Sequence, residues 1–480
     1  MNMDSASIQF VAFGLAAVIV SNFSRSRVWR SLALSVASLL FLGLLARSLV
    51  VLLPLLGFLA FGYLAILLQR YGIKRAHAWS IVAVIFVYVW EKKYTFLPGA
   101  MLLHHPYFTL GLSYIFFRVL HLVIDASDDE QKSHIGVGAY LLYTLNFTTL
   151  VSGPIQRYED FAADQFAAEP IALDVGTIGL QLERIVRGMF KVNVLAMVLN
   201  AVEQDAVAQL TQPLPIGMKL FAGVRVAVTY PLFLYSNFSG YIDIVIALAR
   251  LMRVRLPENF NRPFSASSVM EFWNRWHMTL SRWLKTYVYN PLLIALMQRV
   301  SSRSLEPFLG VVSFFVTFFL IGVWHGRTSE FIVFGLLTGA GVSINKLWQL
   351  RLTSALGKKK YREVSNHPLY DALGRGLNFA WFGFTLIWFW AGWPQIHKLF
   401  SALTVLQWLC VWLCVWLAAT IVLELWERTR AALLSIEVSG QPVLLSRYAR
   451  VVYASLLGLA AFVVIGLLNQ PAPDIVYKQF

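Results

Sequence analysis

Residues 307–326 read PFLGVVSFFVTFFLIGVWHG, an uncharged apolar run that ends in His325 and Gly326. About 20 apolar residues are what an α-helix needs to cross the ~30 Å hydrocarbon core of a bilayer. Similar runs recur in both directions along the chain, most clearly at 8–24, 48–69, 135–156, 376–397, 399–423 and 451–473. Weaker candidates lie at 31–46, 76–90, 106–124, 192–202 and 331–345. The pattern predicts an all-α polytopic membrane protein of roughly ten to twelve spans.

Composition agrees. Of 480 residues 58% are hydrophobic and only 14% charged, against roughly 25% charged in ordinary soluble domains. A soluble globule of this size could not hide that much apolar surface. The net charge of +15 does not indicate a nucleic-acid partner, because the basic residues are scattered through short segments between apolar runs: Arg25, Arg27 and Arg30; Arg70, Lys74 and Arg75; Lys358, Lys359 and Lys360, read as a cytoplasmic loop. That distribution follows the positive-inside rule and suits anionic membrane lipid. The first apolar run lacks a preceding basic region and reads as a retained span, with the 1–7 tail outside and Arg25–Arg30 inside. The acidic 125–130 segment reads as a solvated inner loop. Cys410 and Cys414 sit at helical spacing inside an apolar run, as small hydrophobes. No metal-ligand pattern is present, and His104-His105 reads as a surface pair. No soluble domain or internal repeat interrupts the chain, so 1–480 is expected to be a single integral membrane domain.

One stretch breaks the pattern. Between Phe238 and Asn290 stand ten charged residues, among them Asp243, Glu258, Arg262, Glu271, Arg275, Arg282 and Lys285. Facing lipid at mid-bilayer would cost on the order of 30 kcal/mol on the insertion scale. The segment is therefore expected at the interface, or re-entrant and lining a polar cavity. Within it, Leu256–Phe264 (LPENFNRPF) carries two prolines and two asparagines and predicts an irregular loop. Ser268-Val-Met-Glu271 has capping-box spacing and predicts a helix from there to about Asn290, just before Pro291. On such a helix Trp273, Trp276, His277, Leu280 and Leu284 would share a face. The tryptophans read first as packing or interfacial belt residues, and His277 as either a structural tie or a site group.

The second anomaly is His325, an ionisable group at the end of a span and therefore a functional candidate. Gly326 beside it permits close backbone approach. A neutral imidazole out of bulk water is the form a general base needs.

Leu256–Phe264, Glu271–Trp283 (EFWNRWHMTLSRW) and Ile321–Gly326 (IGVWHG) resemble the membrane-bound O-acyltransferase superfamily. The likeness is to its bacterial branch, which holds the alginate O-acetylation protein and the teichoic acid D-alanyl transfer protein. Ser152–Tyr158 (SGPIQRY) and Phe238–Asp243 (FSGYID) add to it, and the five motifs occur in the family's order over a motif-bearing core of about 110–350. The sequence departs from alginate-type members at Tyr289-Asn-Pro-Leu-Leu293, which lacks their glycine pair.

The resemblance implies a funnel of helices with re-entrant or interfacial pieces. It also implies an enzyme moving an acyl group, expected to be acetyl, from a cytoplasmic thioester to a hydroxyl of an exported polysaccharide or of a periplasmic relay protein. By the same resemblance His325 matches the catalytic histidine and His277 the second histidine of the bacterial branch. Asn274, Arg275, Trp276, Ser281, Arg282, Trp324, Asn261, Tyr241 and Asp243 are candidate substrate contacts, with Arg275, Arg282 and Lys285 placed to attract an anionic donor. The donor is expected to be acetyl-CoA or a phosphopantetheine-linked carrier protein, with no tightly bound cofactor and no metal. The expected location is the bacterial inner membrane. Within the class, D-alanyl transfer from a carrier protein towards teichoic acid is the alternative. A transporter or lipid flippase fits less well, because such folds repeat their broken helices in two halves and the polar stretch here occurs once.

Overall fold

A computed structural model describes residues 7–46, 48–69, 74–103, 107–127, 134–300, 302, 304–438, 441–468 and 473. The outer-tail residues 1–6, Arg70, the side chains of Lys74 and Arg75, the His104-His105 pair and residues 128–130 of the acidic segment lie outside that description. Among the described residues eight helices are long and apolar enough to cross a membrane, and the shorter apolar helices Ile8–Ser21 and Ala76–Glu91 accompany them. The strand pairing there is one two-residue ladder, Glu437–Val438 against Gln441–Pro442. The protein is an α-helical, multi-pass membrane protein whose described strands amount to that one ladder.

The chain folds as two compact units with interleaved segments. The first comprises Met1–Asn193, Asn237–Glu258 and Ala460–Phe480. Its core gathers Phe10, Phe41 and Phe147, with Tyr241 against Phe10 at 5.9 Å. The 135–156 run is not one span. It forms Val137–Thr144 and the single turn Phe147–Leu150, and then loses helical structure through Ser152–Arg157. The side chain of Asn146 accepts from the Thr148 amide and starts the second piece. Buried Arg118 donates to the carbonyl oxygens of Thr144 at 2.8 Å and of Thr149. Broken backbone at membrane depth is tolerated only where buried protein groups satisfy it, and Arg118 does so here.

The second unit comprises Val194–Ser236 and Asn259–Leu459. At its centre Glu306–His325 and Ser329–Ser365 form a helical hairpin. Glycine makes the crossing close: a β-carbon at Gly322 would strike the Gly335 backbone, and one at Gly339 would lie 2.9 Å from the Phe315 carbonyl oxygen. Small residues at such crossings let helix backbones approach within a membrane. Pro368–Trp390 packs beside this hairpin. Buried Arg375 on it pairs with Glu424 at 2.6 Å and Asp371 at 2.7 Å.

Several boundaries differ from expectation. Phe238–Leu251 is not interfacial: it is the latter part of Ile216–Leu251, a 36-residue helix, and every residue of that part is buried except the half-buried Arg250. Burial among protein groups, not lipid, pays the charge cost. The 192–202 candidate belongs to a longer run, Val175–Phe190 continuing through a π-turn into Met197–Leu210. The 376–397 run divides at Ala391-Gly392 into Pro368–Trp390 and Trp393–Ser401, and the span expected at 399–423 starts at Val405. Lys358–Lys360 are helical, following a break at Gly357 where φ is +76°. Only glycine takes that conformation readily.

Candidate acyl-transfer site

The helix expected over 268–290 does not form as one piece. Ser268 caps Val269–Trp273 by accepting from the Glu271 amide at 3.2 Å, as the capping spacing predicts. The helix then stops, and Met278–Leu284 begins after His277, whose φ of 43° and ψ of 50° are left-handed. A π-turn, Lys285–Tyr289, leads into Asn290–Arg299, so the chain stays helical through Pro291, which directly follows the π-turn. Trp276 and His277 therefore belong to a turn rather than to a helical stripe.

What reverses the chain lies in the 256–264 motif. The Met278 amide donates to the Asn259 carbonyl oxygen at 3.0 Å, and the Asn261 amide donates to the Arg275 carbonyl oxygen at 2.9 Å. These two rungs bracket His277. Asn259 Oδ1 then accepts from the Thr279 amide at 3.1 Å and the Thr279 hydroxyl at 2.8 Å. The orphan donors at the start of Met278–Leu284 are thus satisfied by a residue distant in sequence instead of a local cap. A left-handed non-glycine residue costs on the order of 1–2 kcal/mol. A few net hydrogen bonds of about 1 kcal/mol each offset that.

His277 and His325 are both buried, at 1% and 2% exposure. The Trp324 ring lies between them in the contact sequence, 6.5 Å from His277 and 4.7 Å from His325, centroid to centroid. His325 ends its helix and faces Phe389 at 5.2 Å and Phe334 at 6.0 Å. Gly326 is extended, and a side chain there would strike the Phe331 ring. His277 lies outside the helices able to span. Burial pushes its pKa down from 6.5 to about 3, so the imidazole is neutral at physiological pH.

A cavity of about 180 Å³ adjoins this segment, lined among others by Trp273, Asn274, Ser281, Lys285, Thr317 and Ile321. Ser281 stands one helical turn after His277, and Ile321 one turn before His325. The cavity is thus lined by residues of the two helices that follow His277 and end at His325, with neither histidine in its wall. Ser281 Oγ is buried and has no hydrogen-bond partner among the described residues.

The remaining candidates divide. Trp276 is fully buried among Phe272, Phe260 and Phe382, with centroids at 5.6, 5.1 and 4.9 Å, as a packing residue. Arg275 is engaged by Glu271 at 2.7 Å and Ser265 at 3.1 Å. Arg282 is exposed, its Nε on the Met278 carbonyl oxygen at 3.3 Å. The Asn261 side chain is exposed, and its backbone makes one of the two rungs. Tyr241 and Asp243 belong to the other unit. There Asp243 is enclosed by Arg184 at 2.9 Å, Lys191 at 2.8 Å and Arg187 at 3.4 Å, and Arg184 also binds both oxygens of Glu258. Sequence reading missed Asn259 as the organiser of the His277 turn, and Phe334 and Phe389 around His325. Among the described residues no group of three or more His, Cys, Asp or Glu side chains is placed to hold a metal ion.

The sequence model described as the membrane-bound O-acyltransferase family matches residues 99–367, more than half of the chain. The chain belongs to the membrane-bound O-acyltransferase family. Among curated members it is 28% identical over 262 residues to the teichoic acid D-alanyltransferase of Bacillus subtilis (strain 168), covering 54% of this chain and 64% of that protein. It is 30% identical over 256 residues to the teichoic acid D-alanyltransferase of Streptococcus thermophilus, covering 52% and 60%. To the protein named probable alginate O-acetylase AlgI of Pseudomonas fluorescens it is 29% identical over 275 residues, covering 57% and 52%. The match thus spans about half to nearly two thirds of the length of these relatives. Both motif histidines, the 256–264 loop and the cavity fall inside the family's matched region.

Proposed function

We propose that this membrane-bound O-acyltransferase transfers a short acyl group, acetyl in the favoured reading, from a thioester at the cytoplasmic side to a hydroxyl of an exported polysaccharide or of a periplasmic relay protein. The observation that carries the reading is the pair of buried motif histidines, each in ring contact with Trp324. At about 180 Å³ the adjoining cavity compares with engineered cavities of ~150 Å³ that admit benzene. That volume is enough for an acetyl or alanyl group and its thioester linkage.

In the proposed step neutral His325 accepts the proton of the acceptor hydroxyl as its oxygen attacks the thioester carbonyl carbon. The C–O bond forms, the C–S bond breaks, and the proton passes from the imidazolium to the departing thiolate. General base catalysis of this kind contributes ~10²–10⁴-fold. His277 orients or polarises the acyl carbonyl, and the surrounding aromatic rings keep water from hydrolysing the thioester. Lys285, exposed at the cavity lining, attracts an anionic donor such as acetyl-CoA or a phosphopantetheine-bearing carrier protein. The proposed location is the bacterial inner membrane.

D-alanyl transfer is a second reading, favoured by the comparable identity to teichoic acid D-alanyltransferases. Mass spectrometry of ester-linked groups on the cell's exported glycans, with and without the gene, separates the two. Loss of acetyl esters supports the first reading and loss of alanyl esters the second. An unchanged ester profile rejects acyl transfer to glycans.

A further inference from the structure

We infer that Asn259 is a positioning residue for the reaction, acting through His277; this rests on the acyl-transfer reading above. Asn259 is wholly buried, at 0% exposure. Its backbone carbonyl takes the Met278 amide and its side-chain oxygen takes both donors of Thr279. All three bonds fall on the two residues that directly follow His277. The conformation they hold is left-handed at a histidine, which no local cap enforces: His277 makes no side-chain cap bond to its own helix. Without the Asn259 oxygen the Thr279 amide and hydroxyl lose that shared acceptor, and the chain can relax towards the continuous helix that the local sequence favours. That relaxation swings the imidazole away from Trp324. The Asn259 Nδ2 group is buried and has no hydrogen-bond partner among the described residues, so the oxygen half of the amide carries the function and an oxygen-bearing isostere should replace it.

The test is a double-mutant cycle on the full-length protein in cells, reading ester content of exported glycans per membrane-inserted protein. Asn259→Ala is expected to lower ester content by roughly 10–100-fold, the scale of a misplacement near 1 Å, and His277→Ala by at least as much. The double variant should fall no further than His277→Ala, and Asn259→Asp should retain most of the wild-type level. Wild-type ester content in Asn259→Ala beside a defective His277→Ala overturns the proposal, as does a double variant showing the product of the two losses, or Asn259→Asp as defective as Asn259→Ala. Wild-type ester content in His277→Ala instead overturns the underlying reading of His277 and the proposal with it. If Asn259→Ala does not accumulate, Thr279→Val removes one of the two donors; it should lower ester content in the wild-type background and not in the His277→Ala background. Equal fractional loss in both backgrounds overturns the proposal.

Discussion

Gly335→Ala adds one methyl group at the crossing that sets the position of His325. Its β-carbon would lie 2.5 Å from the Phe319 carbonyl oxygen and 3.3 Å from the Gly322 α-carbon. A non-bonded carbon and oxygen settle no closer than about 3.2 Å, so the two helices must separate by roughly 0.7 Å. Overpacking of this kind costs about 1–3 kcal/mol. Phe319 and Gly322 stand in the last two turns before His325, which moves with them. A displacement approaching 1 Å at a catalytic group costs up to about 10²-fold in rate. We therefore expect Gly335→Ala to insert, to melt at a lower temperature in detergent, and to lower glycan ester content by about 10–100-fold per inserted protein. Gly339→Ala is the control: its β-carbon would lie 2.9 Å from the Phe315 carbonyl oxygen, one turn further from His325, and it should destabilise with a smaller loss of activity. Wild-type ester content and melting in Gly335→Ala, or a larger loss in Gly339→Ala, would refute the view that this crossing positions His325.

Two further expectations follow from the site. The folded protein withholds from His277 a proton that the unfolded chain accepts below its ordinary value near 6.5. Stability is therefore fully present above about pH 6.5 and falls as pH drops towards 3, by up to roughly 1.4 kcal/mol per pH unit. The detergent melting temperature should fall less on acidification from pH 7.5 to 5 in His277→Gln than in wild type, and equal slopes would contradict the burial argument. Direct transfer needs no thiol nucleophile, and Cys410 and Cys414 are exposed. The double serine variant should keep wild-type ester levels, and its loss of activity would reopen a covalent route.

The large features were legible because they rest on local periodicity. The apolar run 307–326 became a helix ending at His325, and Ser268 capped a helix where its spacing said it would. What failed depends on partners remote in the chain. Nothing between 268 and 290 announces a left-handed His277, because the acceptors that hold it belong to Asn259. The run 135–156 looked continuous because Arg118, which satisfies the broken backbone, precedes it by a whole helix. Asp243 looked prohibitive for a span, yet Arg184, Arg187 and Lys191, more than fifty residues before it, neutralise it inside the protein. A one-dimensional charge count has no access to that pairing, so it excluded a helix that folding buries.

The assignment of His325 as the base is tested most directly by the ester content of exported glycans in cells carrying His325→Ala at wild-type membrane levels. The geometry predicts a correctly inserted protein and ester content lowered by at least ~10²-fold. Wild-type ester content in that strain would contradict it.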